Sequence, residues 1–141
     1  MEEFKKLVDI INNNQKFVIT THVNPDPDAI CSCLIFYTIL KNLNKDVKII
    51  NTSATPYFIE FLDYEKVIEK YNRDIHLEYI NDFDVIVCLD FNHIGRLDTM
   101  EKDVIASKAY KICIDHHTEP EVQYFDYLFN NEDYAATVEI M

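Results

Sequence analysis

Phe17-Val18-Ile19-Thr20-Thr21-His22-Val23-Asn24-Pro25-Asp26-Pro27-Asp28 is the stretch that decides how this chain folds. It opens with a short run rich in apolar and β-branched residues, the composition of a buried parallel strand. It closes on an imidazole and two carboxylates. The arrangement recurs twice. Val85-Ile86-Val87-Cys88-Leu89 runs into Asp90, and Tyr110-Lys111-Ile112-Cys113-Ile114 runs into Asp115, His116 and His117. In open α/β sheets, sites form outside the carboxyl ends of strands. Three strand ends offering Asp and His therefore point to one site assembled from distant parts of the chain. Carboxylates and imidazoles together are ligands for divalent metals.

Outward from that stretch, residues 2–14 place Phe4, Leu7, Val8, Ile10 and Ile11 at helical spacing, and three asparagines end the run. Residues 16–21 are the first strand. Each proline of the loop that follows pushes the residue before it out of helical space. Residues 28–43 read as a mostly apolar helix with Asp28 near its N-terminus, and 47–50 as a second strand. The unit is a β-α-β crossover, the connection of a parallel sheet. Pro56 opens a helical pattern through Phe61 and Leu62, and residues 65–80 mix helical and extended signals. Strands are expected at 85–89 and 110–114, with a helix near 98–107 between them. A further strand is expected over 122–128, and a helix begins at 135. The expected fold is α/β in three layers: a mostly parallel sheet flanked by helices.

Length and composition set bounds. The chain has 141 residues and 48% apolar content, enough for one domain with its own core. No apolar run approaches the roughly 20 residues of a membrane span, and the N-terminus lacks the apolar centre of a signal peptide. A cytoplasmic protein is expected, with no membrane partner. Cys31, Cys33, Cys88 and Cys113 all sit in apolar segments and read as reduced core residues. The 25 acidic residues outnumber 13 basic ones, and the formal charge of −12 argues against a broad basic surface for long nucleic acid. A phosphate substrate stays open, because bound cations reverse the local field. With Gly95 as the single glycine, no glycine-rich phosphate loop exists.

Each of the three clusters has a plainer reading. Asp28 could cap the helix that follows it, and His22 could be an incidental strand-end residue. Asp90 alone is either a cap or a ligand. His93 reads as a surface residue. Arg96 suits a phosphate, or pairing with Asp90. Asp115-His116-His117 is the strongest cluster, since three ionisable groups after a buried strand are costly unless paired or coordinated. Taken together, His22, Asp26, Asp28, Asp90, Asp115 and His116 supply enough ligands for two ions if one carboxylate bridges them. An oxygen-rich donor set with a few imidazoles suits manganese or magnesium. Two such ions form the clamp used in phosphoryl hydrolysis.

These motifs resemble a known family. Thr21-His22-Val23-Asn24-Pro25-Asp26-Pro27-Asp28-Ala29-Ile30 resembles the first motif of the DHH phosphoesterases, Asp90 with Arg96 the second, and Asp115-His116-His117 the third. Tyr134–Glu139 resembles the small-residue segment that follows in the oligoribonuclease (nanoRNase) and phosphoadenosine-phosphate phosphatase branch. The resemblance implies that His22 and Asp26 hold one Mn2+ ion and Asp28 another, that Asp90 bridges both, and that His116 completes the second site. Asp115 would support the ligands, and His117 would face the substrate phosphate as acid or charge stabiliser. The implied substrate is a short RNA or DNA oligonucleotide or a phosphorylated nucleotide, with Mg2+ as an alternative metal and a homodimer left open. A manganese inorganic pyrophosphatase and a cyclic-dinucleotide phosphodiesterase are the alternatives within the superfamily. A metal-binding module without activity of its own is the non-enzyme alternative. Two departures stand out: Pro27 and Cys31 occupy positions where the family usually has glycine. A fourth-motif aspartate and a DHH-associated substrate-binding domain are expected beyond position 141, so that 1–141 reads as an incomplete catalytic domain with poor activity by itself.

Overall fold

The three apolar runs lie side by side in the middle of a six-stranded sheet ordered β3-β2-β1-β4-β5-β6, every neighbouring pair parallel. A computed structural model describes residues 2–141. The strands are β1 (Lys16–Thr21), β2 (Asp46–Asn51), β3 (Ile68–Lys70), β4 (Val85–Leu89), β5 (Tyr110–Asp115) and β6 (Tyr127–Asn130). The α-helices are α1 (Glu2–Asn13), α2 (Pro27–Asn42), α3 (Arg73–Asp82) and α4 (Glu101–Ala106). All five residues of β4 are buried, which is why its sequence is a continuous apolar run with no alternation.

The sheet separates two cores. On one face Leu7 and Ile11 of α1 and Cys33, Phe36 and Leu40 of α2 pack on Phe17, Ile19, Ile49, Val87 and Ile114. On the other, Ile80 of α3 and Val104 of α4 pack with Met100 on Val18, Ile50, Ile86 and Cys113. Layers on both faces are what a parallel sheet requires, since its crossovers are helical and right-handed. The expected three-layer α/β architecture is the one observed. None of the cysteines is in a disulfide, and burial lifts the Cys88 thiol to about 12. Among the described residues, no helix is long and apolar enough to cross a membrane.

Several expected boundaries are corrected. The helical pattern after Pro56 is a 3-10 helix, Tyr57–Leu62, with only Ile59 buried. The helix near 98–107 is a 3-10 segment, Ile94–Met100, followed by α4; Asp98 at φ 47 and ψ −112 kinks the first segment. Val122–Tyr124 is 3-10, and the strand begins only at Tyr127. The last segment is a 3-10 turn, Thr137–Ile140, in place of the expected helix from 135. Its first backbone donors bond to a side chain of α2, which fixes its geometry.

β1 and β4 are neighbours although they are distant in sequence, with Thr21 opposite Leu89. β1 leads to β2 on one side, while β4 leads to β5 on the other. The two connections diverge at their carboxyl ends and leave a crevice there, the switch point at which open α/β sheets bind ligands.

Candidate metal centre

Asp90 follows β4 at this switch point, 2% exposed and in a left-handed backbone conformation with φ 66. Aspartate tolerates that region better than most L residues. Four of the six non-glycine residues with positive φ lie in the loops of this edge: Asn24, Asp90, Asp98 and Glu119. Such strain persists where the surrounding structure over-determines it, as functional sites do.

The carboxylate of Asp90 faces one imidazole with each oxygen. His22 Nε2 lies 3.5 Å from Oδ2, and His116 Nε2 lies 3.5 Å from Oδ1. His22 Nδ1 donates to the Val23 carbonyl at 2.8 Å, which turns Nε2 toward the carboxylate. A carboxylate that meets an imidazole nitrogen with each oxygen, at distances long for a hydrogen bond, has the arrangement of a set of metal ligands. Two groups of ligand atoms, each within 4.8 Å of one another, meet these demands: His22, Asp26 and Asp90, and Asp90, His116 and His117. Asp90 belongs to both. The first group offers two carboxylates and one imidazole, the second one carboxylate and two imidazoles, and both sets suit a divalent cation.

The electrostatics agree. Burial raises the pKa of Asp90, more than the opposing bonds from His22 and Thr137 lower it, and the Asp28 and Asp26 carboxylates add to the rise. For His22, burial opposes charge on the ring, yet the contacts with Asp90 and the Val23 carbonyl prevail and raise its pKa. A buried carboxylate with acidic neighbours is a site whose negative charge awaits a cation.

The loop and α2 position the remaining ligands. Asp26, not Asp28, caps α2: its Oδ1 accepts the Ala29 N–H at 2.9 Å. Pro27 then occupies the first turn, where a missing N–H costs no helical hydrogen bond. That explains why proline is accommodated there in place of glycine. Cys31 is half-buried on α2. Asp28 points across the site to the final segment, accepting the N–H groups of Thr137 and Val138 at 2.9 Å each. Its Oδ2 is 3.7 Å from His116 Nε2, outside both tight groups. Carboxylate oxygens have two lone pairs each, so these bonds leave Asp28 capable of a further one.

Thr137 is a member of the site that sequence reasoning did not single out. It is fully buried, and its hydroxyl donates to Asp90 Oδ1 at 2.8 Å. The signal was present, since the segment Tyr134–Glu139 stood out, but the fold had to bring it to Asp90. Asp115, also fully buried, accepts from His117 Nδ1 at 2.7 Å and from its backbone N–H at 3.1 Å. His117 Nε2 is thereby left for other partners. Asn92 is a second member that was missed. Its amide donates to the carbonyls of His117 and Thr118 at 3.0 and 3.1 Å, tying the loop after β4 to the loop after β5.

The pocket above Asp90, of about 550 Å³, is lined by His22, Asp26, His93, Arg96 and His117 among others. Arg96 is exposed on its wall, and its carbonyl accepts the Val23 N–H at 2.8 Å. His93 lies 3.7 Å from Glu121 at the rim, more than half exposed. Of the eight residues expected in the site, His22, Asp26, Asp90, Arg96 and His117 line this pocket; His116 and Asp28 adjoin it through Asp90, and Asp115 through His117.

Fold and site together define a doubly wound α/β domain with a carboxylate–imidazole centre at its switch point. The chain belongs to the DHH family: the family model described as DHH family, N-terminal domain, matches residues 16–141. Among solved structures it is similar to an exopolyphosphatase-related protein from Bacteroides fragilis, at 35% identity and a TM-score of 0.92. That similarity covers 99% of this chain and 41% of the other, so the chain spans less than half of that protein's length. No curated protein matches the chain.

Proposed function

We propose that the chain is the catalytic part of a two-metal phosphoesterase that hydrolyses short oligoribonucleotides or phosphorylated nucleosides, with manganese as its metal. The observation that carries this reading is Asp90 facing one imidazole Nε2 with each carboxylate oxygen, at 3.5 Å on both sides. That arrangement would let Asp90 be shared between two cations. His22 and Asp26 would hold one ion and His116 with Asp28 the other. Bound there, the ions supply Lewis acidity to the phosphoryl group and to the attacking water.

The chain's own residues do the rest. Arg96 offers a guanidinium fork to phosphate oxygens above the centre. Asp115 accepts the Nδ1–H of His117 and orients the ring, so that Nε2 faces the substrate and the departing oxygen. Thr137 fixes the rotamer of Asp90, and Asn92 fixes the loop that carries His117.

The description of the Bacteroides fragilis protein as exopolyphosphatase-related supports a second reading, in which the bond broken is a phosphoanhydride. Hydrolysis of a dinucleotide, of bis-para-nitrophenyl phosphate and of pyrophosphate with added manganese separates the two. The expected result is nucleotide release from the dinucleotide, reduced by about 100-fold in Asp115→Asn. Turnover of pyrophosphate alone would favour the second reading.

A further inference from the structure

We propose that a groove beside the metal centre is a second nucleotide subsite, holding the adjoining phosphate and ribose of a substrate at least two nucleotides long; this rests on the phosphoesterase reading above. The groove, about 730 Å³, lies on the same carboxyl edge of the sheet, beyond β1 toward β3. Its near wall is Val23 and Asn24, the two residues directly after His22. The Val23 N–H donates to the Arg96 carbonyl at 2.8 Å, so the groove and the pocket above Asp90 adjoin across a common wall.

The groove contains the chemistry a nucleotide needs. The chain has two arginines, and they divide between the two pockets, Arg96 at the centre and Arg73 in the groove. Arg73 Nε donates to Asp103 at 3.1 Å, and the Tyr71 hydroxyl donates to the same carboxylate at 2.6 Å. This network holds the guanidinium by one edge and leaves its terminal nitrogens for a phosphate. Lys70, also in the groove, has no ion-pair partner among the described residues. Ser53 accepts the Asn24 N–H at 3.0 Å, so its own hydroxyl proton stays available to a ligand.

Asp98 distinguishes a nucleotide from a bare polyphosphate. Asp98 lines the groove in a backbone conformation, φ 47 and ψ −112, that L residues rarely adopt. A carboxylate there repels a plain polyanion but accepts hydrogen bonds from ribose hydroxyls.

The test is binding to the manganese-loaded 141-residue chain, by calorimetry, of AMP, of a diadenosine dinucleotide with a non-hydrolysable methylene phosphonate linkage, and of inorganic tripolyphosphate. The dinucleotide is expected to bind about tenfold more tightly than AMP. Lys70→Ala/Arg73→Ala should abolish that advantage and leave AMP affinity unchanged. Equal affinity for AMP and dinucleotide in the wild type, or an advantage retained in the double variant, would overturn the subsite. So would equal weakening of both ligands, which would reduce Lys70 and Arg73 to general electrostatics. Tripolyphosphate binding as tightly as the dinucleotide would overturn its assignment to a nucleotide. Manganese binding without binding of AMP or dinucleotide would sink the nucleotide reading of the centre as well, whereas AMP binding with no gain for the dinucleotide removes the groove alone.

Discussion

Asp90 costs the metal-free protein stability. Its folded pKa is raised, chiefly by burial, above that of the unfolded chain. A raised carboxyl pKa contributes stability below the unfolded pKa, and that contribution is lost as pH rises through the folded one. In Asp90→Asn the charge is gone while the side-chain oxygen still accepts from Thr137. Metal-free Asp90→Asn should therefore be at least as stable as wild type at neutral pH, and its melting temperature should lose the decline with pH that this group imposes. Thermal melts in chelator across the acid range to neutrality check this; a lower melting temperature for Asp90→Asn throughout would contradict it. Thr137→Val keeps shape and removes the hydroxyl bond to Asp90. Partners of metal ligands typically govern affinity by about 10–100-fold, so manganese titration of Thr137→Val should show a loss of that order with little change in fold.

At the scale of elements, α2 joins packing to chemistry. Its N-terminus carries Asp26 and Asp28, and Leu40 near its other end is fully buried against the sheet. Leu40→Ala should destabilise the domain by roughly 2–5 kcal/mol, read from denaturant unfolding, without altering any ligand. Elements of this kind were legible in the sequence because burial on both faces leaves a continuous apolar run, as in β4, or a long apolar helix. β3 was not: it is a three-residue edge strand with no buried residue. α3 was not either, since its ten residues bury only His76 and Ile80 and present mostly polar side chains. Each strand-end acid and imidazole was legible as chemistry, and the three clusters do converge. What sequence could not supply was the partner of each group. Asp28 looked like a helix cap and instead holds Thr137 and Val138, more than 100 positions away. Asn92 carries no signal of its own in the sequence, because its two bonds to the β5 loop depend on tertiary placement.

Across the whole molecule, the sheet topology explains why one centre draws on so much of the chain. The switch point between β1 and β4 gathers residues from the loops after β1, β4 and β5 and from the final turn, none of which are neighbours in sequence. It gathers four aspartates, in a molecule of formal charge −12. Self-repulsion of that size opposes folding, and cations bound at the centre offset part of it while stabilising the folded state by mass action. The central claim is that Asp90 is shared by two metal sites. Its most direct test is the manganese content of wild type against Asp90→Ala, measured by equilibrium dialysis and elemental analysis, with circular dichroism to confirm that both are folded. The account predicts two ions per wild-type chain and loss of both sites in folded Asp90→Ala. Unchanged manganese binding in that variant would show that Asp90 does not bridge, and the proposed centre would be wrong.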